Sequence, residues 1–387
     1  MHNNQTPPAS PSFDTIAQLR QQIAHLFWVA DTTLDFPEPG YFRFRGRPQG
    51  ELEPHYDELR QHFEQYGYTP LAQPENGQVV LLGLPLVITP PPLRWRWNLV
   101  LFLLTILSTL FTGAVNEPAF GEVFTQAIET GSGWGAVVAN LWRGLPFCLS
   151  IMLILGAHEM GHFFAARYHK VAASLPYFLP LPYPLSYFGT LGAFILQRSP
   201  SKNARVQFDI GASGPLAGLV FAIPLLIYGL ATSPVGPLPE MYMREGNSIL
   251  YVVLKFLVFG EVLPSGGMDV SLNQVAWAGW TGLLITGINL LPVGQLDGGR
   301  VAQVLFGQRV LKQMFWPIIA GLAIFSLIAQ SPIWVVMIFL LLSMGRQYEQ
   351  PLDSVTQLDP RRRALAIFTL ILFVLIFVPV PLEWVGF

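Results

Sequence analysis

The stretch Gly156-Ala157-His158-Glu159-Met160-Gly161-His162-Phe163-Phe164 gathers two imidazoles and a carboxylate into little more than one helical turn. His158 and His162 are four residues apart, so on a helix both rings leave the same face and can share one zinc ion. Glu159 lies about 100° around the helix, near enough to take a proton from water held at that ion. Zinc lowers the pKa of such water to about 7, which supplies hydroxide at neutral pH. The surroundings are apolar. Three ionisable groups within one span would each cost roughly 2.5–3.5 kcal/mol if unpaired, so packing alone does not account for them.

Two histidines leave zinc short of a third protein ligand. Few ionisable residues occur in the later apolar stretches, and Asp297 stands out within Asn289-Leu290-Leu291-Pro292-Val293-Gly294-Gln295-Leu296-Asp297-Gly298-Gly299-Arg300. Pro292 breaks a helix there and lets the backbone carry the carboxylate toward the metal. Gly298 and Gly299 permit close approach. The plainer reading of Asp297 is an interfacial helix cap.

The elements that must position these groups are set by composition. Of 387 residues, 52% are hydrophobic and 12% charged, against about 25% charged in soluble globular proteins. That excludes an ordinary soluble enzyme and a disordered chain. One cysteine, Cys148, excludes intrachain disulfides and cysteine-based metal clusters. A net charge of −2 gives no reason to expect nucleic acid as a partner. The expected fold class is a polytopic α-helical membrane protein with a small N-terminal α+β soluble domain.

A bilayer core of ~30 Å needs about 20 mostly apolar residues per helix. Such stretches fall near 97–115, 144–167, 206–231, 275–296, 313–329, 331–345 and 364–384. The two between 313 and 345 are short and meet at Gln330-Ser331-Pro332. The stretch 246–260, broken by Lys255, is expected to lie along the interface; if it crosses, the spans number eight and the tail changes side. With the N-terminus on the cytoplasmic side, 14 of the 17 lysines and arginines after residue 92 fall inside, leaving only Arg143, Arg244 and Lys255 outside. The expectation is therefore seven spans and an outer C-terminus, in a bacterial plasma membrane or a thylakoid-type membrane. The loop 116–132 carries only acidic charge. The loop 171–205 is too apolar for a solvated loop and too proline-rich for a helix, and Thr190–Gln197 has strand character. It reads as a segment dipping into a protein-lined cavity from the cytoplasmic side.

Residues 1–13 read as a disordered tail without the basic flank and apolar core of a secretory signal. Residues 14–89 read as a small cytoplasmic α+β domain. Helical spacing runs from Asp14 to Ala30 (Ile16, Leu19, Ile23, Phe27) and from Glu53 to Tyr66 (Tyr56, Leu59, Phe63), where Gly67 fits a helix stop. Strands are expected at Tyr41–Arg45, Tyr68–Leu71 and Val79–Leu84, the last two joined by a turn at Asn76-Gly77. His25, His55 and His62 are scattered on the expected helices and read as ordinary surface or core residues, with an adaptor role for the domain. A stiff proline-rich linker (90–96), a transmembrane core (97–345), a cytoplasmic loop (346–363) and a C-terminal transmembrane helix (364–387) complete the organisation.

The order H-E-x-x-H, a small-residue span, then N-x-x-P-x-x-x-L-D-G-G resembles the site-2 protease family of intramembrane zinc metalloproteases (peptidase family M50). Phe208-Asp209-Ile210-Gly211-Ala212-Ser213-Gly214-Pro215-Leu216-Ala217-Gly218 is similar to that family's third motif. Gly189-Thr190-Leu191-Gly192-Ala193-Phe194 suggests its cyanobacterial and chloroplast branch. The resemblance covers about 95–345, and no PDZ insertion is recognisable. It implies His158, His162 and Asp297 as ligands of one zinc ion, Glu159 as general base and acid, and Asn289 as a donor to the tetrahedral oxyanion. It also implies transmembrane proteins as substrates, cut within or beside their spans. An extended substrate segment would pair with the strand near Thr190–Gln197. Two other readings remain: an inactive member that binds client helices, and a metal transporter using the same three ligands.

Overall fold

In the computed structural model, residues 10–92, 95–329, 332–344 and 348–385 are described. Most of the expected tail, Arg94 of the linker, the Gln330-Ser331 turn, Arg346 and the last two residues lie outside them. The chain divides into two compact units. One comprises 1–92, 197–208 and 349–363; the other comprises 93–196, 209–348 and 364–387.

The first unit opens with Ser12, whose hydroxyl accepts the Thr15 N–H and caps α1 (Phe13–Gln22). There follow β1 (Phe27–Leu34), β2 (Phe42–Pro48), α2 (Leu52–Gln65), β3 (Thr69–Glu75) and β4 (Gln78–Leu84). The strands form one antiparallel sheet in the order β1-β2-β4-β3. Asn76 and Gly77 both take positive φ between β3 and β4, as a tight hairpin turn demands. The apolar stripes of both helices (Ile16, Leu19, Tyr56, Leu59, Phe63) share a core with Phe42, Phe44 and Leu81 of the sheet.

The first helix is shorter than its sequence pattern. It stops at Gln22, and Phe27 begins a strand. Ile23 and Phe27 both enter the core, so the apolar pattern continues although the backbone turns. The β-branched and aromatic residues that follow pair with β2 instead.

The segments 197–208 and 349–363 are built into this unit rather than hanging as loops. The Ala72 amide donates to the Leu352 carbonyl and the Ser354 amide to the Ala72 carbonyl, while the Asp353 amide donates to the Lys202 carbonyl. Leu352 enters the core. Asp353 is fully buried and accepts the amides of Val355 and Thr356. Arg205 pairs with Glu53, and Lys202 with Asp57 at 3.2 Å.

The second unit begins with α3 (Trp95–Val115), α4 (Pro118–Thr130) and α5 (Trp134–Asn140), and a 3₁₀ turn (Leu141–Gly144) leads into α6 (Leu145–Tyr168). The hairpin β5 (Tyr177–Pro180) and β6 (Thr190–Phe194) precedes α7 (Ala204–Ala231), whose first residues belong to the other unit. Next come β7 (Val235–Pro237), β8 (Tyr242–Glu245), α8 (Ile249–Phe259), β9 (Met268–Val270), α9 (Gln274–Asn289), α10 (Asp297–Phe306), α11 (Gln308–Ala329), α12 (Pro332–Met344), α13 (Pro360–Ile376) and β10 (Leu382–Val385).

Among the described residues, four helices are long and apolar enough to cross a membrane: α3, α6 with the helical residues before it, α7 and α11. Helix α3 inverts the soluble pattern. Leu103 and Leu107 are exposed, while Thr105, Ser108, Thr109 and Thr112 are buried, as suits a helix with lipid outside and protein inside. The other expected stretches are shorter helices. α9 ends at Asn289, just before Pro292, and α12 has 13 residues. α13 stops at Ile376, before Pro379 and Pro381, and the chain then pairs β10 with β8; a helix to 384 is therefore replaced by a shorter helix and a strand. The expected loop 116–132 is mostly α4, whose Phe120 and Phe124 pack on Phe111 of α3.

Candidate metal centre

The middle of α6 carries His158, Glu159 and His162, all at most 4% exposed. Small residues of α7 allow that depth. A Cβ at Gly214 would collide with the ring of His162, so only glycine lets α7 lie this close.

Helix α9 ends at Asn289, and the bend through Pro292 turns the chain so that Asp297 opens α10. Its Oδ2 lies 3.2 Å from His158 Nε2 and 3.1 Å from His162 Nε2. The structure thus brings His158, His162 and Asp297 together. Asn289 joins them, its Nδ2 3.4 Å from His158 Nε2.

The hydrogen bonds orient the donors. His162 Nδ1 lies 2.6 Å from the carbonyl oxygen of Ile210 and donates to it. With Nδ1 committed to Ile210, Nε2 is the ring nitrogen that faces Asp297 Oδ2. Ligands placed ~2.0–2.1 Å from a tetrahedral zinc stand ~3.3 Å from one another, close to both observed separations. The donor set, two imidazoles and a carboxylate, suits zinc. Glu159 Oε2 is buried without a hydrogen-bond partner among the described residues.

The loop 171–205 is held by α3. Asn98 Nδ2 donates to the carbonyls of Leu175 (2.7 Å) and Pro176 (3.0 Å), and Ser108 Oγ to that of Gly189 (2.6 Å). These bonds satisfy non-helical backbone beside the helices. β5 pairs antiparallel with β6, and no third strand lies on β6 among the described residues.

Sequence reasoning left several supporting groups unassigned. The Ile210 carbonyl carries no sequence signal. Asp209 falls inside a quoted motif, and its carboxylate meets His169 Nε2 at 2.9 Å, joining the end of α6 to α7.

Residues 146–330 match Peptidase family M50. Over 96% of its length the chain is 29% identical to "Probable zinc metalloprotease EGY2, chloroplastic" of Arabidopsis thaliana, covering 66% of that protein. It is 31% identical to the Arabidopsis protein named probable zinc metalloprotease EGY1, over 79% of this chain and 58% of the relative. It is 30% identical to its namesake in Oryza sativa subsp. japonica, over 75% and 51%. The chain thus spans about half to two thirds of the length of these relatives. No solved structure matches it. The matched region holds His158, His162 and Asp297, so that residues 146–330 carry a domain of peptidase family M50, the site-2 protease family.

Proposed function

We propose that the chain is an intramembrane zinc metalloprotease that hydrolyses peptide bonds within or beside the transmembrane segments of membrane-protein substrates. The observation that carries this reading is the meeting of His158, His162 and Asp297 around one point, with Glu159 in the same turn of α6. These three side chains would hold the zinc ion. Bound there, zinc supplies Lewis acidity toward a peptide carbonyl and toward water.

The protein's own groups do the rest. Glu159 takes a proton from the attacking water and delivers it to the leaving amide nitrogen. Asn289 donates to the carbonyl oxygen as negative charge grows on it. A substrate helix hides its carbonyls in hydrogen bonds, so it must unwind first. An unwound segment laid along β6 would gain main-chain bonds.

The reading includes seven spans, with α9, α12 and α13 added to the four long helices, and a cytoplasmic N-terminal domain. The pairing of β10 with β8 supports it, because the strand that follows α13 then lies on the side where α7 ends. The test is cleavage of a transmembrane peptide in lipid, with zinc content measured in parallel. Glu159→Gln should keep the zinc and lose cleavage by about 10²–10⁴-fold. An uncut peptide with the zinc-loaded wild type would sink the proposal.

A further inference from the structure

The first unit holds a second convergence of metal-binding side chains, which none of the M50 motifs includes. Glu58 and His62 are four apart on α2, and His25 lies in the turn between α1 and β1. His25 Nε2 is 2.9 Å from Glu58 Oε1. The rings of His25 and His62 meet edge-on, 6.2 Å between centroids. One ligand atom from each of the three residues lies within 4.8 Å of the other two.

The sequence gives no hint of this, because 33 residues separate His25 from Glu58. Helix pairing closes the gap. Ile23, two residues before His25, and Leu59 and Phe63, each beside one of the other two residues, are buried in the same core. The packing that fixes α1 against α2 therefore fixes the three polar groups as well.

We infer that His25, Glu58 and His62 form a second metal site, one that takes zinc. Two imidazole nitrogens and a carboxylate oxygen match zinc's ligand preferences, and three protein ligands leave a position for water. Half-exposed His25 and Glu58 give the ion an entry path. His62 Nδ1 is buried without a hydrogen-bond partner among the described residues, and a buried nitrogen left unpaired costs stability. A bound ion ties the turn after α1 to α2 and makes the stability of this unit depend on zinc.

The test is zinc stoichiometry of the purified full-length chain, by elemental analysis after equilibration with buffered Zn²⁺, together with zinc-dependent thermal unfolding. The expected wild-type content is two equivalents. His25→Ala/His62→Ala should hold one and lose the zinc-induced rise in Tm, with peptide cleavage unchanged. His158→Ala/His162→Ala should also hold one, but should keep the rise in Tm. Glu58→Gln preserves the shape and hydrogen-bonding capacity of the side chain, and should weaken the second equivalent at least tenfold; circular dichroism of each variant checks its fold. Equal zinc content and equal affinity in the wild type and His25→Ala/His62→Ala would overturn the inference. Equal zinc content in the wild type and His158→Ala/His162→Ala would instead sink the catalytic reading, so the two failures are distinguishable.

Discussion

His162 is held at both ring nitrogens: Nδ1 donates to the Ile210 carbonyl at 2.6 Å, and Nε2 faces Asp297 at 3.1 Å. The first contact fixes the ring plane and occupies Nδ1, and so makes Nε2 the nitrogen aimed at the metal position. Support of this kind commonly sets metal affinity as much as the ligand itself does. It depends on α7 lying flat against α6, with no side chain at Gly214.

Gly214→Val should therefore act on the metal without replacing any ligand. The added branch collides with the His162 ring on its Nε2 side and displaces it. Zinc affinity is expected to fall on the order of 10–100-fold, as when a ligand's supporting partner is lost. Competition with a chromophoric chelator measures it. An unchanged affinity would mean that α7 does not set the ring's position.

Asn98→Leu should separate peptide positioning from metal binding. The amide of Asn98 serves two carbonyls, those of Leu175 and Pro176, just before β5. Leucine keeps the volume and leaves both acceptors without that donor, at a cost of about 1–3 kcal/mol. The β5–β6 hairpin then loses the α3 anchor ahead of β5 and keeps only that of Ser108 on Gly189. Cleavage of a transmembrane peptide should drop while zinc content stays at the wild-type level. A parallel loss of zinc would show that the hairpin also supports the metal centre.

The parts legible in the sequence were those with local or strongly chemical signatures. His158 and His162 announce a shared helix face by their spacing, and Asp297 was marked by the scarcity of other carboxylates. Helix α2 and the Asn76-Gly77 turn follow from periodicity and turn chemistry alone. What stayed hidden depends on contacts between distant segments. Phe27 keeps the helical apolar spacing yet belongs to a strand, because the core accepts it from either conformation. Residues 349–357 look like a solvated loop, but their backbone hydrogen-bonds to β3 and to residues 201–202. The Ile210 carbonyl is a main-chain group that any residue type would provide.

Asp353→Ala should loosen the first unit. Asp353 is fully buried, accepts two backbone amides through Oδ1 and bonds the Thr356 hydroxyl through Oδ2. Alanine strands both amides in a buried turn, and the expected cost is about 2 kcal/mol. Limited proteolysis should show faster cutting near residues 349–357, with cleavage at Lys202 rising as well, since its carbonyl loses the Asp353 amide once the strap opens. Unchanged proteolysis would mean that the backbone bonds to Ala72 and Lys202 suffice to hold the strap.

Asn289 has two readings, and one substitution tells them apart. Its Nδ2 stands 3.4 Å from His158 Nε2, at the long end of hydrogen-bond distances. If it stabilises the developing oxyanion, Asn289→Leu should lower kcat by about 10²–10³-fold with KM and zinc content little changed. If it only steadies His158, the same substitution should weaken zinc binding, and excess zinc should restore cleavage. The oxyanion role predicts no rescue at any zinc concentration, and rescue would assign Asn289 to positioning the ligand.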